Sequence, residues 1–115
     1  MTDARQAEEI LKQYAKHGWI LRRVLLSAPT IEKLPAAVFG QTDVIAADFD
    51  ALWFARSAAN GGEAWELRHL SAIPFALVEV FDEDDDEETR EEMRSELETQ
   101  MRNRASKPVV QNRKV

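Results

Sequence analysis

Residues 49–56 and 64–70 are aromatic-rich runs, and they flank the segment Ser57-Ala58-Ala59-Asn60-Gly61-Gly62. Branched and aromatic side chains suit a pleated, half-buried surface, while an Asn-Gly step and a second glycine supply the left-handed backbone of a reversing loop. The pattern predicts a β-hairpin with a loop longer than the minimum. Because strand side chains alternate between faces, Leu52, Phe54 and Arg56 fall on one side of the first strand and Trp53 on the other. On its partner, Trp65, Leu67 and His69 share a face opposite Glu66 and Arg68. One sheet face is expected to lie under helices, with the glutamate and arginine pairing across strands on the other.

Pro74 precedes a further strand-like run, 75–81, which extends the hairpin into a meander. Upstream, residues 19–27 (Trp-Ile-Leu-Arg-Arg-Val-Leu-Leu-Ser) carry apolar side chains on both alternating sets, as a strand covered on both sides does. Arg22 and Arg23 then project to opposite faces and need partners. Between these parts, residues 28–48 contain Pro29, Pro35 and a turn-like Gly40-Gln41-Thr42-Asp43, and read as an irregular connection. Thr30 can cap one turn over 31–34, and Leu34, Val38 and Phe39 are its expected buried anchors. The sum is a four-stranded, mostly antiparallel sheet.

Helices are predicted at both ends. Ala7, Ile10, Leu11 and Tyr14 form one stripe of a helix over 3–17, with Glu8, Glu9, Lys12 and Lys16 turned to water. Thr2 or Asp3 can cap its start, and Gly18 can end it. Near the other terminus, Met93, Leu97 and Met101 recur every fourth residue in a helix over about 85–104. Acidic residues crowd its start and arginines its end, as the helix dipole favours. The narrow apolar seam suits either the chain's own sheet or a second copy. The expected architecture is α+β, one domain over 1–105 followed by a flexible basic tail, 106–115.

Length and composition agree with that reading. At 115 residues and 44% hydrophobic content, the chain supports one core. It has no cysteine, which excludes disulfides, thiolate metal sites and thiol nucleophiles. Its first residues lack the apolar run of a secretion signal, and no stretch approaches the roughly 18 apolar residues of a membrane span, so a cytoplasmic location away from membranes is expected. The net charge of -6 is unevenly placed: residues 82–101 hold 11 acidic and 2 basic side chains, whereas 102–115 hold 5 basic and no acidic ones.

Motifs with chemistry are few. Asp82-x-Asp84-x-Asp86 imitates the start of a calcium loop, but Glu87 occupies the glycine position and Met93 that of the bidentate carboxylate, so no metal site is expected. His17 and His69 have no ligand-spaced companions, no phosphate-binding glycine loop or nucleophile elbow occurs, and no cofactor is implied. The pattern favours a non-catalytic protein-interaction module, capable of self-association, with an acidic surface for a basic partner. Glu91, Glu92, Met93, Leu97, Glu98 and Met101 are its contact residues. The alternative is a small anionic or single-stranded ligand held by Trp53, Arg56, Trp65, Arg68 and His69, where rings stack and arginines grip anions. The acidic balance opposes general nucleic-acid binding. A hydrolase using His69 with an orienting carboxylate is a third reading.

Overall fold

The computed structural model describes residues 3–71 and 75–105. The elements are α1 (Ala4–Lys16), β1 (Ile20–Leu26), α2 (Ala28–Lys33), a 3-10 turn (Ala36–Phe39), β2 (Val44–Ala46), β3 (Ala51–Ser57), β4 (Glu63–His69), β5 (Ala76–Phe81) and α3 (Glu87–Ala105). They form an α+β domain with a mixed sheet of five strands in the order β2-β1-β3-β4-β5.

The expected four strands become five because β2, only three residues long, pairs parallel with β1 through Val24↔Val44, Leu25↔Ile45 and Leu26↔Ala46. Parallel neighbours need a crossover of a dozen or more residues. The supposedly irregular connection provides it, folding into α2 and the 3-10 turn. Pro29 sits in the first turn of α2, where its missing N–H costs no hydrogen bond. Asp50, just before β3, fixes this crossover: its carboxylate accepts from the Ser27 amide at 2.7 Å, the Ser27 hydroxyl at 3.0 Å and the Thr30 hydroxyl at 2.8 Å. Leu34 and Phe39 are buried as anchors and Val38 is half-buried.

The remaining pairs are antiparallel, including the hairpin β3–β4. At its tip Gly61 takes φ +89°, and Asn60 Oδ1 accepts from the Gly62 amide at 2.8 Å. Gly62 is needed for a different reason: a Cβ there would lie 1.8 Å from the Phe81 carbonyl oxygen. The tip therefore seats directly against the end of β5.

Helices cover both faces of the sheet, where one covered face was expected. On one side α1 and the 3-10 turn bury Ala7, Ile10, Val24, Phe39, Leu52 and Phe54. The Asp3 carboxylate caps α1 by accepting from the Gln6 amide at 2.8 Å, and Gly18 follows the helix at φ +84°. Thr2, the other expected cap, lies outside the described residues. On the opposite side α3 packs over Trp53, Trp65, Leu67 and Phe81. Glu66 and Arg68, expected to pair across strands, instead stand opposite Phe54 and Val78, and Leu52 and Ala76, respectively. Glu66 accepts a short hydrogen bond from Tyr14 of α1, and Arg68 donates to the His69 carbonyl. Pro74 and the basic segment 106–115 fall outside the described residues, and no described helix is long and apolar enough to cross a membrane.

Candidate functional site

α3 defines the most distinctive surface, and its sequence dictates how it is held. The seam Met93, Leu97 and Met101 faces the chain's own sheet: Leu97 and Met101 are buried in the core and Met93 packs against it. Of the two destinations open to the seam, the intramolecular one is occupied. Beside it runs a second stripe, Glu87, Glu91, Arg94 and Glu98, one or two turns apart and therefore on one side of the helix.

Arg94 in this stripe is 1% exposed. A buried guanidinium requires anions and an aromatic face to offset its lost hydration. It has both: the ring centroids of Trp65 and Phe81 lie 4.3 and 5.7 Å from its guanidinium carbon, Glu91 accepts from its Nε at 3.2 Å, and Glu87 accepts a short hydrogen bond. Glu91 also receives Arg23 of β1 through bonds of 2.8 and 3.3 Å. The Arg23 bond and then Arg94 hold the Glu91 carboxyl below the usual glutamate range, against a smaller opposing effect of burial. Glu98 accepts from Trp53 Nε1 at 2.7 Å, and Arg102 donates to Asp48 at 2.8 Å, which lowers the Asp48 carboxyl. At the helix start Arg90 bonds the Asp82 carbonyl at 2.7 Å and Glu63 at 3.1 Å, while Asp86 accepts from the Thr89 amide at 2.8 Å.

A bulge in β1 adds to this cluster. Register passes from Leu21↔Phe54 to Arg23↔Trp53, leaving Arg22 as an extra residue. Such an insertion re-aims a side chain. Arg22 and Arg23, expected on opposite faces, therefore both reach Trp65, at 5.3 and 5.9 Å from its ring centroid. Arg94 and the bulge escaped sequence reading. The signal available was the Glu-Glu-Arg-Glu stripe flanking the seam, which supplies the partners that the β1 arginines lacked.

The outward side of α3 is left acidic. Glu87, Glu88, Glu91, Glu92 and Ser95 line a shallow open groove. Glu88, Glu92 and Glu96 are exposed and hold no ion pair with any described residue.

The hairpin residues do not form the expected ligand platform. Trp53 and Trp65, 0% and 5% exposed, meet edge to face at 5.9 Å in the core, so their faces are occupied by protein. Arg56 lies on the opposite side, over Trp19 at 4.3 Å and donating to the His17 carbonyl at 2.8 Å. Arg68 shares that side of the sheet with Glu66. His69 is half-buried, tilted against Phe75 at 6.2 Å. Burial lowers its pKa, Asp50 opposes the shift and Arg68 adds to it. The Asp50 carboxylate that would orient His69 is engaged by Ser27 and Thr30.

A second open pocket, under α1, is lined by Gln13, Tyr14, His17, Trp19 and Glu66. Tyr14 stacks on Phe54 at 4.0 Å, and burial together with its bond to Glu66 raises the phenol well above the usual tyrosine range. Among the described residues, no group of three or more histidines or carboxylates is arranged to hold a metal ion. No family model, curated protein or solved structure matches the chain.

Proposed function

We propose that this domain is a non-catalytic protein-interaction module that presents the acidic outer face of α3 to a basic partner. The observation carrying the reading is the division of charge along α3. Carboxylates turned toward the sheet are engaged, Glu87 and Glu91 by Arg94 and Arg23 as ion pairs and Glu98 by a hydrogen bond from the Trp53 indole, whereas Glu88, Glu92 and Glu96 stay exposed without an ion-pair partner among the described residues. The helix dipole favours Glu88 in the first turn, but Glu92 and Glu96 lie beyond it, where like charges one turn apart cost stability. Such an acidic strip steers association with a cationic surface.

The buried seam and the arginine contacts make the strip a rigid display, which reduces the ordering cost of binding. Of the residues expected at the contact, Glu92 and the outer edge of Glu91 stand on the surface that remains open. Glu98 and the seam act from beneath by fixing the helix. The test is binding of a lysine- and arginine-rich peptide to the full chain, measured by calorimetry at low and high salt. Binding that weakens with salt and is lost in Glu88→Lys/Glu92→Lys/Glu96→Lys supports the reading. Equal binding by that variant, with its circular dichroism unchanged, overturns it.

A further inference from the structure

β5 ends the sheet, and among the described residues no strand pairs with its outer edge. Which backbone groups lie free there follows from the ladder. The His69 amide donates to the Phe75 carbonyl at 2.8 Å, which makes 69/75 a hydrogen-bonded pair. Alternation along an antiparallel pair then makes Leu67/Leu77 and Trp65/Glu79 hydrogen-bonded as well. Ala76, Val78 and Val80 consequently turn both N–H and C=O outward. Val78 and Val80 are each 51% exposed and share the sheet face opposite α3, because they register with Glu66 and Ala64. Proteins protect free edges with lysine, proline or a covering segment, and the residues carrying this edge's outward groups have no charge.

We propose that β5 pairs antiparallel with β5 of a second copy, continuing the sheet across a two-fold axis at Val78. This register sets Val78 against the partner's Val78 and Ala76 against its Val80, so every outward-turned group meets its complement. The neighbouring register centred on Glu79 would set two glutamates directly opposite, which is unfavourable. Charge selects the direction too. The acidic turn 82–86 follows the end of β5, while Arg104 stacks on Phe75 at its beginning, 4.4 Å from the ring centroid. Antiparallel pairing brings the acidic end of each copy to the arginine end of the other, whereas parallel pairing would join acid to acid. The inference stands independently of the acidic-face reading, since the strip on α3 stays exposed in either state.

Sedimentation equilibrium of the full chain tests it. The expected mass is twice 13.1 kDa, and Val78→Lys/Val80→Lys is expected to weaken the dimer about 100-fold or more, with far-ultraviolet circular dichroism unchanged. Amide exchange on the unaltered chain requires no variant: slow exchange at Ala76, Val78 and Val80 that quickens on dilution supports the pairing, and fast exchange at every concentration overturns it. Three other results also overturn it. One is a wild-type monomer. Another is a monomer that dimerises only once 106–115 are removed, which would give the edge to that segment. The last is a dimer broken by Val44→Lys/Ile45→Lys but not by the β5 variant, which would give the contact to β2.

Discussion

Replacing Arg94 by alanine is expected to cost about 2 kcal/mol of stability, and the figure can be built from its surroundings. A desolvated guanidinium over an indole contributes about 2 kcal/mol, and Arg94 lies 4.3 Å from the Trp65 centroid at 1% exposure. The buried methylenes beyond Cβ add about 0.8 kcal/mol each. Against this, the truncated chain recovers about 1.5–2 kcal/mol of side-chain entropy. The larger penalty of stranding a buried anion does not apply, because the Glu87 and Glu91 side chains are 74% and 47% exposed and rehydrate once freed.

The same reasoning ranks the conservative variants. Arg94→Met keeps the packed stem and removes a charge that is costly to bury, so it is expected within about 1 kcal/mol of the wild type. Arg94→Lys keeps the charge but loses the planar stack and the forked bonds, at about 1–2 kcal/mol. Urea unfolding followed by tryptophan fluorescence, read as midpoint shifts at constant slope, measures all three. An alanine variant within about 0.5 kcal/mol of wild type would show that Arg94 is not clamped. A methionine variant as damaged as alanine would refute the division between packing and charge.

Further outcomes follow from single residues. The chain has one tyrosine, so ultraviolet titration reads Tyr14 alone: ionisation should begin above the ordinary range near pH 10, and Glu66→Gln should bring it down. A titration like free tyrosine would contradict the buried bond. By NMR, His69 should titrate below its ordinary value of 6.5. Because the unfolded chain then binds the proton more readily, His69 withdraws stability as pH falls below that value, and Glu91 does so lower, as pH drops through its depressed pKa. Gly62→Ala should destabilise by about 2–4 kcal/mol, far more than Ala59→Gly on the same loop, since its Cβ meets the Phe81 carbonyl. Acrylamide should quench Trp19 and spare Trp53 and Trp65, so quenching of all three indoles would contradict their burial.

Local signals carried much of the fold. The stripe Ala7, Ile10, Tyr14 and the cap at Asp3 specify α1 because helix periodicity needs only neighbouring residues. The Asn60-Gly61-Gly62 loop between aromatic runs specifies the hairpin, and the seam at four-residue spacing, with an acidic start and a basic end, marks α3. Less of the candidate site was legible. The exposed acid at Glu92 is visible in sequence, but the engagement of Glu91 by Arg23 joins residues 68 positions apart and leaves no local trace.

What the chain determined by itself, then, was which segments become helix or strand and where charge accumulates, because propensity, capping and periodicity act over a few residues. Tertiary structure alone decided that Val44–Ala46 joins the sheet in parallel, since three residues carry too short a pattern to announce a strand. It also decided that one extra residue in β1 turns Arg22 and Arg23 to the same side, and that Arg94 is buried against Trp65. Those outcomes depend on register, crossover and the meeting of distant side chains, which are settled only when the sheet closes its ladders and α3 seals its face.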